Sequence, residues 1–412
     1  WLAPLKPPFG SMAPLSLWLR NHFMDEMAEK ARTLLSEMER WLEAQGYRGW
    51  DPHDGLNSPW VKAATLDRHW LGVVGLQVIR RSPLNLRPFL GVPKTYHAKA
   101  MGLFLSAFAR KYLSSKDVAD LRRMEFFTDW LLENASPGFS GLCWGYPFDW
   151  PNRQFYARKG TPTIVNTSFI AHAFLDAYEV TGEAKYLQAA RSSCGFLLHD
   201  LNRIKKGNAF CFSYTPGDHN AVHNANMLGA SLLARVGAIT KDRLLREAAE
   251  ASMDYSLEAQ RLDGAWYYGE APNERWIDSF HTGYSLVALA DFLDYSGRGD
   301  LKPSLERGFQ FYLDHFFLLD GTVKYYDKDA YPLEAHCFAH ALIGLRRLAF
   351  LEEGRVQALL PLVFGRMVQL FWSGRGYFFS RRTRWFTDRT PYLRWVQAWA
   401  FLALAHLAYP DL

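Results

Sequence analysis

Four histidines, His97, His223, His281 and His336, and several carboxylates set among aromatic residues are the side chains of this sequence best suited to chemistry. Asp149 lies in Trp144-Gly-Tyr-Pro-Phe-Asp-Trp150, between Phe148 and Trp150. A carboxyl group among aromatic rings loses hydration, so its pKa rises and it can give up a proton near neutral pH. Asp278 precedes His281 by three residues in Trp276-Ile-Asp-Ser-Phe-His281, at the expected start of a helix. The positive end of the helix dipole there holds it ionised. Two carboxyl groups with separated pKa values can divide acid/base work, one giving a proton while the other activates water or attacks carbon. This reading makes Asp149 the general acid and Asp278 the base or nucleophile, with Asp54 and His281 orienting substrate or water. Capping explains Asp278 and Glu334 about as well, since acidic residues are favoured at helix N-termini.

The aromatic content points to a ligand. Trp, Tyr and Phe make up 16% of the chain, more than a core alone requires. Surplus Trp and Tyr suit a binding cleft, because each joins a flat apolar face to a polar handle. Trp144, Tyr146, Trp150, Trp266, Tyr268 and Trp385 are expected in one groove as stacking surfaces, at least half of them touching the cavity. His97, Asn224, Tyr284 and His336 are expected to bind substrate beside them. Other partners are disfavoured. The net charge of +5 is scattered, and the nearest basic cluster, Arg375, Arg381, Arg382 and Arg384, is too compact to track phosphates. No apolar stretch reaches the ~20 residues of a membrane span. The four cysteines form no CxxC pair, and each histidine comes from a different segment, so no metal is expected. No Gly-rich phosphate loop calls for an organic cofactor. The thiols and the lack of a visible leader favour the cytoplasm. Gly10-Ser11-Met12 reads as a vector scar, so residues 1–11 are taken as a vector-derived tail, and a removed signal peptide is compatible with that start.

These residues sit in a repeat. Five segments share a plan of turn, aromatic run, polar loop and apolar helix: they begin at Gly141, Asn208, Gly264, Gly321 and Gly376. Early positions of the following helices align as Asn166, His223, His281, His336 and Trp395, at steps of 57, 58, 55 and 59 residues, with His97 in the same column. The helices after the loops are apolar nearly all round, as in Ala398-Trp-Ala-Phe-Leu-Ala-Leu-Ala405, and must be buried on all sides. Amphipathic helices alternate with them. That alternation predicts an all-α (α/α)6 toroid over residues 12–412 as one domain, with short β-hairpins in the rim loops. The helix near Leu15–Gln45 is expected to close the sleeve against the last inner helix. Trp60–Arg81 supplies material for a seventh hairpin. The four histidines should then converge at one mouth. The Gly49–Pro59 loop, dense in Asp51, His53, Asp54 and Asn57, reads as a turn or as a strap across that mouth.

The repeat over roughly residues 90–412 resembles the six-hairpin toroids of carbohydrate-active proteins: glycoside hydrolases, the N-acylglucosamine 2-epimerase group, uronate-specific hydrolases and toroidal polysaccharide lyases. Glu274-Arg-Trp-Ile-Asp-Ser-Phe-His-Thr-Gly-Tyr284 resembles the Trp-x-Asp stretch that opens a catalytic inner helix in unsaturated uronyl hydrolases. The second aspartate of those enzymes has no counterpart, as the matching positions hold His223 and Asn166. Gly49–Ser58 resembles a loop of uncharacterised proteins encoded near bacterial surface-polysaccharide genes. The resemblance implies a poly- or oligosaccharide substrate and glycoside hydrolysis. It leaves two rivals. Toroidal lyases are similar in using Asn, His and Tyr, which would make His223 a base near neutral pH with Asn224 and Tyr284 in a lyase or epimerase. A glycan-binding or assembly factor would keep the fold without the chemistry.

Overall fold

The computed structural model describes residues 13–66, 68–151 and 156–409; the expected tail, residues 1–11, lies outside them. A long helix α1 (Ala13–Ala44) is followed by a short pair, α2 (Pro59–Thr65) and α3 (His69–Arg81). Five hairpins come next: α4 (Ala98–Ser115) with α5 (Val118–Glu133), α6 (Ile164–Thr181) with α7 (Ala184–Asp200), α8 (His223–Thr240) with α9 (Arg243–Glu258), α10 (Ser279–Ser296) with α11 (Lys302–Phe316), and α12 (Ala335–Arg347) with α13 (Glu353–Phe371). The last helix is α14 (Ala398–Ala408).

The even-numbered helices from α4 to α14 each pack on the next, and α14 packs back on α4, closing a ring of six. All six are largely buried, and α6, α8, α10 and α14 carry no polar face. The amphipathic α5, α7, α9, α11 and α13 form the sleeve, and α1 fills its sixth place against α14. The sequence suggested a seventh hairpin at Trp60–Arg81. Instead α2 and α3 pack on each other, on the Asp54–Asn57 turn and on a rim strand, outside the ring. The ring is already closed by α14 on α4, which leaves no gap for them.

The repeated glycine has one physical cause. A Cβ on Gly141 would stand 1.9 Å from the Ser192 carbonyl oxygen of α7. On Gly264, Gly321 and Gly376 it would meet Arg307 of α11, Leu362 of α13 and Glu37 of α1, at 2.3, 2.4 and 2.7 Å. These four rim runs thus begin by resting bare backbone on the next outer helix around the sleeve, while the run at Asn208 has no such glycine. The aromatic residues that follow are then carried inward over the ring.

Rim strands are short. β1 (Trp150–Pro151) pairs with β2 (Tyr156–Ala157), β3 (Arg203–Lys206) with β4 (Ala209–Phe212), and β5 (Leu333–Glu334), β6 (Arg381–Arg382) and β7 (Thr387–Asp388) form a three-stranded sheet. All four cysteines are buried thiols. No described helix is long and apolar enough to cross a membrane.

The packed interior holds histidines in their neutral form. Burial pulls His53, His97, His172 and His223 down to about 4. An unfolded histidine titrates at about 6.5, so the unfolded chain takes up protons that the native one refuses. Stability is therefore full above that value and falls as the pH drops from about 6.5 toward 4. Thermal melts in steps from pH 8 to 4 are expected to show the decline beginning near the ordinary histidine value. A melting temperature flat from pH 7 to 5 would contradict it.

Candidate active site

The N-terminal ends of the inner helices and the rim loops enclose a cavity of about 620 Å3. Tyr146, Phe148 and Trp150 form one aromatic wall, with Tyr146 and Phe148 stacked at 5.3 Å and 6° between planes. Tyr268 stacks on Trp276 at 4.6 Å and 12° in another. Tyr214, Phe280, Tyr325, Tyr326 and Trp395 complete the aromatic lining. Flat rings at several angles around one volume suit a ligand with apolar faces and polar edges.

Within that lining, Asp278 and His281 are coupled. Asp278 is the N-cap of α10, and its Oδ1 accepts from the His281 backbone N–H at 2.9 Å. Its Oδ2 accepts from His281 Nδ1 at 2.7 Å and from Trp276 Nε1 at 3.2 Å. A cap three residues ahead on the first turn brings the carboxylate back over the imidazole. Because the carboxylate accepts only, Nδ1 carries the hydrogen, and Nε2 is the nitrogen left to act as a base. The capping role weighed from sequence and the chemical role thus coexist in Asp278.

Glu334 stands at the N-cap position of α12 in the same wall without a capping hydrogen bond, and its Oε2 accepts from Trp395 Nε1 at 2.8 Å. Glu274 is the third lining carboxylate. Beneath them the ring centre is filled. Tyr284 Oη and His336 Nε2 lie 2.7 Å apart, and Tyr284 stacks on Trp399 at 5.3 Å. Burial, helped by Lys99, holds His336 well below the ordinary histidine range.

The Gly49–Pro59 loop is a strap at this mouth. Arg394 of the last rim turn donates from Nε and Nη2 to Asp51 at 2.7 and 2.9 Å and lies 4.8 Å above the Tyr146 ring. Arg394 and His53 both line the cavity. Sequence reasoning placed Asp54 at the reaction. Its carboxylate is buried against Arg87 Nε at 2.6 Å and does not reach the cavity. Its acceptor sites are taken by Arg87 and the Asp51 N–H, so it shapes the loop.

The other expected residues divide. Of the six aromatic candidates, Tyr146, Trp150 and Tyr268 line the cavity. Trp144 is fully buried, with Nε1 on the Leu131 carbonyl at 2.8 Å. Trp266 is tied to the Ser256 carbonyl at 2.7 Å, and Trp385 stands 90% exposed on a rim turn. Asp149 also faces away from the cavity. Its neighbours on both sides line the wall, and successive side chains of an extended segment point to opposite sides. Asp149 instead accepts from the Lys159 N–H at 2.8 Å and pairs with Lys62 at 3.2 Å.

The histidine column does not converge. His281 is three residues past its cap, whereas His223 is one past Val222 and His336 two past Glu334. At about 100° per residue, a two-residue offset turns a side chain to the far side of its helix. His223 accordingly faces Ser256 and Tyr255 of the sleeve. His97 stands at the N-cap position of α4, with Nε2 turned to the Gly49 carbonyl at 3.3 Å. Asn224 lies behind Tyr268, in a small pocket shared with Trp266 and His281.

No protein-family model and no curated protein matches the sequence. Solved structures do match. A glycoside hydrolase family 76 mannosidase from Bacteroides thetaiotaomicron superposes with a TM-score of 0.61 at 13% identity, over 94% of this chain and 99% of that one. Cellobiose 2-epimerase from Bacillus thermoamylovorans gives 0.59 at 13% identity, over 77% and 90%. An unsaturated glucuronyl hydrolase specific for heparin gives 0.55 at 12%, over 75% and 85%. The chain has the (α/α)6 toroid fold. At these identities the likeness carries architecture, and the chemistry has to be argued from the side chains in the mouth.

Proposed function

We propose that the protein is a carbohydrate-active enzyme in which His281, oriented by Asp278, moves a proton on a sugar held in the aromatic cavity. The observation that carries this reading is the 2.7 Å Asp278–His281 pair in the cavity wall. Asp278 is nearly inaccessible and takes three donors, which leaves it badly placed to attack an anomeric carbon itself. An imidazole backed by a carboxylate suits removal of a proton from carbon beside a carbonyl or carboxylate, which leads to epimerisation or elimination. Glu334 is the second proton-transfer group, on the neighbouring inner helix. The structural neighbours include a cellobiose 2-epimerase, a D-mannose isomerase and a polysaccharide lyase, which supports the carbohydrate class. Hydrolysis is the second reading. Glu334 favours it, because a cavity carboxylate could protonate a leaving oxygen while His281 activates water.

The test is incubation with a panel of poly- and oligosaccharides in deuterated water. Deuterium at a sugar carbon, or the ultraviolet absorbance of a new C=C bond, is the expected result. Reducing ends alone would move the assignment to hydrolysis. If glycans bind and none of the three signals arises, the protein is a binding factor and the reading fails.

A further inference from the structure

We infer that the cavity contains an anion subsite built from Arg80, Arg81 and Arg381, and that the glycan it takes is acidic. The inference rests on the proposed sugar site and names its substrate class. All three arginines line the cavity. Arg80 and Arg81 end α3, the helix packed over the mouth outside the ring, and Arg381 comes from β6. Arg381 Nη2 donates to the Arg80 carbonyl at 3.1 Å, which ties the two segments together. In β6 the side chains alternate, so Arg381 enters the cavity while Arg382 faces solvent. This separates the basic cluster noticed in the sequence: only Arg381 of that group lines the cavity.

Glu274, Asp278 and Glu334 share this lining, and Glu334 is paired with Arg381 across the β5–β6 ladder, yet none of these carboxylates closes an ion pair with the three arginines. Among the described residues, none of the three forms an ion pair, and Arg381 Nε is buried without a hydrogen-bond partner. Arg394, in the same lining, shows the contrast, since Asp51 neutralises it. His53 stands 3.4 Å from Arg80 Nη1 and adds no charge, because burial pulls it down to about 4. A helix C-terminus favours cations, which explains Arg80 and Arg81 in the last turn of α3. The same helix end takes Arg381 through the Arg80 carbonyl, but three guanidiniums gathered at one point still repel one another. An anionic ligand removes that conflict. Guanidinium forks bind carboxylate, sulfate or phosphate oxygens in pairs, so the shared chemistry is a sugar carrying one of these groups. For a carboxylate-bearing sugar, the same cations would also stabilise the charge that develops when His281 removes a neighbouring proton.

The experiment is calorimetric titration of the full chain at constant ionic strength with glucuronate, glucose 6-sulfate, glucose 6-phosphate and glucose. At least one acidic sugar is expected to bind about tenfold or more tightly than glucose, as one or two charge-assisted hydrogen bonds provide. The preferred acidic sugar identifies the group. Arg381→Gln and Arg80→Gln should each weaken that sugar about tenfold, with melting temperatures confirming the fold. Arg382→Gln, on the exposed side of the same strand, should leave binding unchanged. Equal affinity for all four sugars, or acidic-sugar binding that survives in Arg80→Gln/Arg381→Gln, overturns the inference. Neutral glycans turned over while acidic sugars fail to bind would sink the subsite and keep the proposed function. Arginine-dependent acidic-sugar binding with no glycan transformed would keep the subsite and sink the catalytic reading.

Discussion

Asp278→Asn is expected to lower turnover roughly 10²- to 10⁴-fold with the fold intact. Asparagine is as good an N-cap as aspartate, so α10 should still start at Ser279. What changes is the partner of His281 Nδ1. A carboxylate can only accept there, which fixes the hydrogen on Nδ1 and leaves Nε2 basic. An amide can instead donate, moving the hydrogen to Nε2 and removing the base. His281→Gln is expected to lose about as much, and the double variant no more than the worse single, because the two residues act as one unit. Steady-state rates on the glycan found in the panel, with melting temperatures alongside, check both parts. If Asp278→Asn keeps turnover within about threefold, Asp278 is a helix cap and His281 needs no orienting carboxylate.

The ring was legible because its cause is local. Helices without a polar face can only be inner, and helices with a charged stripe can only be outer. The repeated glycine follows from contact with the next outer helix, seen in Gly141 over Ser192 and Gly264 over Arg307. Even the closing role of α1 against α14 could be read from its length and place. The aromatic runs were read correctly as rim, and three of the six chosen rings line the cavity.

The site was less legible, because facing depends on single-residue register. His281 and His223 look equivalent at steps near 58 residues, yet their distances from the helix caps differ by two residues, enough to turn one into the mouth and the other into the sleeve. Asp149 has the composition of a general acid, but its place between two inward rings sends it outward. Arg394 carried no local signal at all. Its partner Asp51 is 343 positions away, and only closure of the ring brings the first rim loop onto the last. The density of Asp51 and His53 is visible in the sequence; the cation that Asp51 neutralises is not.

That long-range pair sets the second large expectation: Asp51→Ala should cost roughly 3–5 kcal/mol of stability. Asp51 is fully buried and takes both Arg394 contacts, and it also accepts from the His53 N–H at 3.0 Å. Without it the Arg394 guanidinium keeps the Tyr146 ring but has no counter-charge in a buried setting, and removing one partner of such a pair is far costlier than replacing both. Asp51→Ala combined with Arg394→Met should therefore recover most of the loss. The pH dependence separates this pair from the histidines. Burial pushes the Asp51 carboxyl up, but Arg394 outweighs it and holds the group well below the usual carboxylate range. Its contribution is then complete above the unfolded value of about 3.9 and is lost only as the pH falls through the lower native value. Urea melts at pH 8 and pH 5 should give the same penalty for Asp51→Ala, although both proteins weaken between them as histidines charge in the unfolded chain. A penalty under about 1 kcal/mol would mean that water from the cavity solvates Arg394 as well as Asp51 does, and that the strap is held by the Asp54–Arg87 pair instead.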